Sequence, residues 1–203
     1  MDIKDLNTEL GKVLKEEQID ELRVEDAGEE ITDFKDYNDA LDKIKAKYDK
    51  NEILAYCPNA TTFDYGDKTY QLAVVLGIKE STETKGSMNP HGMAHYLNKH
   101  TYTNDIKTEP TEEDLIKASK NIKGAYGLAK KKKQVAFDPF ENKVIFSNGK
   151  YVYIICLAKD EKELSYLHNL FQLEKPNYIQ NQKKQIKKRL NNELAPNRTK
   201  EQS

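Results

Sequence analysis

The stretch HGMAHYLNKH, residues 91–100, holds His91, His95 and His100, three of the four histidines in the chain. The fourth, His168, lies far downstream in ELSYLHNLFQL. Imidazole titrates near neutral pH and its ring nitrogens ligate metals, so such a cluster suggests proton transfer or metal binding. Three readings stay open. In the first, His91 and His95, four residues apart, share a helix face and hold a metal, with His100 or an acid as third ligand. Pro90 and Gly92 interrupt helix at His91, and the glutamate that follows the first histidine of helical zinc-protease motifs is missing. No metal is expected. In the second reading His100 is the acid or base of an RNA-cleaving site, with His95 or His168 as its partner and Lys99 on the phosphate. Metal-free RNA cleavage needs a base for the 2′-OH, an acid for the leaving 5′-oxygen and cations for the charged phosphorane, and no cofactor. His95 and His100 would point about 140° apart on one continuous helix, so a shared site requires the helix to end between them. In the third reading the histidines only mark a helix C-terminus, where positive charge suits the dipole.

Cations are concentrated in two further places. Residues 129–134, AKKKKQ, contain Lys130, Lys131, Lys132 and Lys133. This run reads as a solvated helix end or as a grip on a phosphate backbone. Residues 183–190, KKQIKKRL, place Ile186 and Leu190 on one helix face and basic groups around it. Tyr126, Tyr151 and Tyr153 would stack on bases if exposed, but core or sheet-face positions suit them better. The net charge of −1 conceals a split. Residues 1–52 carry 17 acidic and 9 basic side chains, and residues 53–203 carry 17 acidic and 24 basic ones. The second part suits nucleic acid; the first suits a docking or inhibitory partner.

These groups need elements to hold them. Apolar steps of three and four predict helix over 2–22 and again over 31–52, where Phe34, Tyr37, Leu41, Ile44 and Tyr48 share a face and Thr32 or Asp33 is the N-cap. YQLAVVLGI reads as a buried strand, with Pro58 and DYGDK marking turns before it. A helix follows Pro90. Another begins at Thr111, whose spacing to Asp114 resembles a capping box, and KGAYGLAKKKK ends it. KVIFS, the turn NG and KYVYIICLA form a hairpin, and ELSYLHNLFQL adds a strand. The expected fold is α+β: an N-terminal helical unit, then a small domain with helices packed on an antiparallel sheet. The expected divisions are an acidic helical module over 1–52, an α+β domain over 53–179 and a basic C-terminal tail over 180–203. No apolar run spans a membrane and the N-terminal stretch does not read as a signal peptide. Cys57 and Cys156 lie outside any metal or redox spacing and read as thiols of a cytoplasmic protein.

The order of MAHYLNKH, TEPTEEDLIKASKNI and the meander KVIFSNGKYVYIICLAKDEKELSYLHNLFQL resembles the nuclease superfamily of barnase, EndoU, RelE and the nuclease colicins, in its phage and mobile-element branch. The likeness covers about residues 70–175. It implies a metal-independent, toxin-like endoribonuclease acting on RNA, with tRNA as a possible substrate. His100 falls on the family's histidine and Lys99 on its basic neighbour. Asn169 stands where the family often has Ser or Thr, a departure that weakens the case for cleavage. His168, beside Asn169, would face the other side of a regular strand. The alternative is a non-catalytic module that binds nucleic acid or a host protein.

Overall fold

The computed structural model describes residues 21–49, 53–79, 89–99 and 110–194. The helix expected over 2–22 lies outside these residues, apart from its last two positions, and so does His100. The fold is α+β. Seven strands form one sheet: β1 (Glu29–Glu30), β2 (Ala55–Tyr65), β3 (Lys68–Val75), β4 (Val135–Asp138), β5 (Lys143–Ser147), β6 (Tyr151–Cys156) and β7 (Ser165–Gln172). Their order is β1-β2-β3-β7-β6-β5-β4. The sheet is mixed, with β1 parallel to β2 and β3 parallel to β7. The β3–β7 pair joins segments about ninety residues apart, which no local pattern announces.

Among the described residues five α-helices accompany the sheet: α1 (Tyr37–Asp49), α2 (Gly92–Lys99), α3 (Glu112–Lys120), α4 (Ile122–Lys131) and α5 (Tyr178–Leu194). Helix α1 begins at Tyr37 because the Asp36 carboxylate accepts the Asp39 amide at 2.9 Å, a cap beyond both expected positions, Thr32 and Asp33. Thr111 caps α3 as the sequence predicts. Its hydroxyl accepts the Asp114 amide at 3.2 Å, and its own amide donates to the Asp114 carboxylate at 2.9 Å. KGAYGLAKKKK does not end that helix but forms α4. Ile122, Ala125, Tyr126 and Ala129 are buried at helical spacing, a stripe that Gly124 and Gly127 obscure in the sequence. Pro58 marks no turn; it sits inside β2 at a register shift between Cys57 and Thr61, where a missing amide donor is tolerated.

Helices α1 to α4 cover one sheet face. Leu41, Ile44, Leu72, Tyr96, Leu97, Leu115, Phe146 and Tyr153 form their common core. The described part of the 1–52 region therefore shares its core with residues 53–179. The sheet curls around that core. In a flat sheet β2 and β5 would lie about 19 Å apart, four strand spacings, yet the Phe63 and Phe146 rings approach to 6.3 Å. The other face is covered in two places. Leu22 and Ala27 pack on Tyr56, Val75 and Tyr166, and α5 seats Ile179 and Ile186 against Ala136, Ile145 and Val152. The expected C-terminal tail is thus, through Leu194, a docked helix. Among the described residues no helix is long and apolar enough to cross a membrane.

Candidate functional site

Two glycines set the position of the first histidines. Beyond β3 the chain turns at Gly77 (φ +70°), and a Cβ there would lie 1.9 Å from the His91 carbonyl oxygen. Gly92 (φ +74°) opens α2, and a Cβ there would lie 2.8 Å from the Val75 carbonyl oxygen. Only glycine permits this crossing. Ile78 and His91 exchange backbone hydrogen bonds of 3.1 and 3.2 Å, and the Ala94 amide donates to the Leu76 carbonyl at 2.7 Å. Helix α2 is thereby tied to the end of β3 and packs chiefly against β7.

Strand β7 meets it with a bulge. Ile154 pairs with Asn169 and Ile155 with Leu167, leaving His168 as the extra residue. His168, two residues after Tyr166 along the strand, has its ring 6.4 Å from that of His95. Tyr166 completes the group. Its hydroxyl and His168 Nδ1 are 3.3 Å apart, and its ring meets that of His91 edge-on at 5.8 Å. His91 Nδ1 lies 2.8 Å from the Asn89 carbonyl oxygen. The structure therefore brings together His95 and His168, which the sequence offered only as alternative partners of His100, and adds His91 and Tyr166.

Burial limits what this group does. His91, His95 and His168 are 3, 7 and 8% exposed, so a polymeric substrate has no access to their rings in this conformation. No metal-binding group of three or more His, Cys, Asp or Glu occurs among the described residues. Asn169 is half-buried, and its side-chain oxygen accepts the Leu170 amide at 2.9 Å. Lys99 is exposed at the end of α2. A cleft of about 340 Å³ opens elsewhere, between the start of α1, β2 and the α3–α4 junction, and contains none of these residues.

Lys130, Lys131, Lys132 and Lys133 do not join the histidines; they precede β4, three strands from β7 in the sheet order. They close α4 in an unusual way. Lys133 adopts φ +55°. Its amide donates to the Lys130 carbonyl at 3.1 Å and the Gln134 amide donates to the Ala129 carbonyl at 2.8 Å. This is the Schellman closure, with lysine where glycine normally stands. The α5 side chain Lys183 reaches across and donates to the Lys133 carbonyl at 3.0 Å. Two basic runs fifty residues apart in sequence thus meet on one edge of the molecule. Lys184, Lys187 and Lys188 are exposed along α5. None of Lys131, Lys132, Lys184, Lys187 and Lys188 has an acidic partner among the described residues. The sequence shows each run but not their meeting.

The tyrosines named as possible base platforms are core residues. Tyr126, Tyr151 and Tyr153 are 9, 7 and 0% exposed. The Tyr153 hydroxyl donates to the Ala118 carbonyl at 3.0 Å, and burial raises its pKa far above that of free tyrosine. No family model matches this chain, nor does any curated protein or solved structure.

Proposed function

We propose that this protein binds nucleic acid through the edge formed by the C-terminus of α4 and the outer face of α5. The observation that carries the reading is the junction of the two lysine runs through Lys183 and Lys133. Like charges brought together cost stability unless an anion neutralises them. Here they gather at a helix C-terminus, where the dipole offsets part of that repulsion. A phosphate backbone neutralises such a surface and releases counterions on binding. Cys57 and Cys156 are buried and outside any disulfide, which fits a cytoplasmic setting, where RNA is the abundant polyanion.

Fluorescence anisotropy of the full chain with a labelled RNA hairpin tests this. Binding should weaken steeply with salt, by about 0.9 in the log–log slope for each phosphate contact. Lys131→Glu with Lys132→Glu should abolish it, whereas Lys35→Glu, before α1, should not. Retained binding in the double variant, with an unchanged circular dichroism spectrum, would refute the proposal.

One observation favours RNA cleavage as a second reading: the apposition of His95 and His168 across α2 and β7. Their burial requires α2 to move before either reaches a phosphodiester. Incubation with RNA in EDTA, read for 2′,3′-cyclic phosphate ends and compared with His168→Ala and His100→Ala, decides it. Intact RNA with every protein rules cleavage out.

A further inference from the structure

We infer that the basic edge takes a nucleic-acid duplex, held by its phosphates, with no base stacked on the protein. This deepens the nucleic-acid reading above and rests on it. Proteins that grip single strands combine cations with aromatic faces on which bases stack, each worth about 1–3 kcal/mol. The described aromatic rings of α4, β4 and α5 each pack on another side chain, and none is fully exposed. Tyr126 is buried and covered by Lys130, whose Nζ lies 4.8 Å above its ring. Phe140 is buried beneath Arg189, whose guanidinium carbon lies 4.2 Å from its centroid. Phe137 stacks on Tyr65 at 5.1 Å, and Phe171 meets Tyr178 edge-on at 5.6 Å. Residues 195–203, which follow α5, contain no aromatic residue.

What faces outward is mainly lysine and amide side chains, with the aliphatic Leu128 and Leu190 among them and no exposed ring. On α5, Lys187 and Lys188 follow Lys183 and Lys184 by one turn, a rise of about 6 Å. Ile179 and Ile186 turn the other side of the helix into the sheet. A surface of this kind responds to the density of negative charge. A duplex presents one charge per about 1.7 Å of axis, against about 3.4 Å for each of its strands alone. With no fully exposed ring offered to unstacked bases, little compensates a single strand for its lower density. The same chemistry serves DNA and RNA, because lysine ammonium groups contact phosphate and not the sugar or base.

The test compares the full chain on a labelled RNA duplex, the matching DNA duplex and an unstructured single strand of equal length, by anisotropy at several salt concentrations. Both duplexes should bind at least about tenfold more tightly than the single strand, with a salt slope that falls by about 0.9 for each of Lys131→Ala and Lys184→Ala. A smaller preference, or a tighter single-strand complex, overturns the duplex inference and leaves nucleic-acid binding standing. If none of the three binds, the functional proposal itself falls. If only the RNA duplex binds, phosphate contact alone does not explain recognition and the inference falls in its stated form.

Discussion

Replacing Lys133 by glycine should make the protein more stable and weaken its hold on nucleic acid. Lys133 stands at φ +55°, a region that costs a side-chain-bearing residue about 1–2 kcal/mol. Glycine adopts it freely but adds about 0.4–1 kcal/mol of entropy to the unfolded chain. The net gain is about 0.5–1 kcal/mol. Nothing else in the fold offsets it, because the three hydrogen bonds at this closure use backbone atoms of Lys133, Lys130, Ala129 and Gln134, with Lys183 as the side-chain donor. All survive the substitution. Urea unfolding followed by circular dichroism measures the gain. Lys132→Gly is the control: Lys132 has φ −89°, has no strain to relieve, and should lose about 0.5–1 kcal/mol. In the anisotropy assay Lys133→Gly should lower the salt slope by about 0.9. A less stable Lys133→Gly protein would refute the strain argument. A more stable one that binds nucleic acid as before would show that the lysine is not kept there for binding.

The Gly77 crossing predicts a contrast between two glycines. Gly77→Ala drives a methyl group into the His91 carbonyl, parting the Ile78–His91 pair as well as straining the backbone, for a loss of about 3 kcal/mol. Gly66, at φ +62° with open space around it, pays strain alone, about 1–2 kcal/mol on substitution by alanine. Equal urea midpoints for the two variants would remove the basis for the close β3–α2 contact. The α3 cap predicts a pH effect. Hydrogen bonds from the Thr111 amide and then its hydroxyl hold the Asp114 carboxyl below its ordinary value. Its stabilisation is therefore present above the unfolded-state pKa of about 3.9 and disappears as pH falls through the lower folded-state value. The difference in melting temperature between the native protein and Asp114→Asn should shrink below about pH 4; a constant difference down to pH 2 would contradict the assignment.

Much of the local structure is legible in short stretches. Thr111 and Asp114 write their own helix start. The SNGK turn writes the β5–β6 hairpin: the Asn148 side chain accepts the Lys150 and Tyr151 amides, and Gly149 supplies φ +96°. The apolar run of β7 and the face of α1 read as plainly. The failures share a cause. Gly124 and Gly127 are tolerated inside α4 because Tyr126 and Ala129 pack into a core contributed by β2 and β5. Pro58 is tolerated in β2 because the ladder is already shifted there. In both cases tertiary contacts outweigh local propensity.

The same division holds for the candidate sites. Composition and spacing alone identified the histidines near residue 95, His168 and both lysine runs as the groups with chemistry to offer, since residue type and near neighbours determine that offer. Which of them meet is a property of the whole chain. The parallel β3–β7 pair and the packing of α2 on β7 bring His91, His95 and His168 together and bury them. The packing of Ile179 and Ile186 lays α5 beside the end of α4 and joins two basic runs into one surface. Interactions within four residues are encoded where they act. Contacts between residues 95 and 168, or 133 and 183, depend on which strands pair, and that is settled only when the core closes.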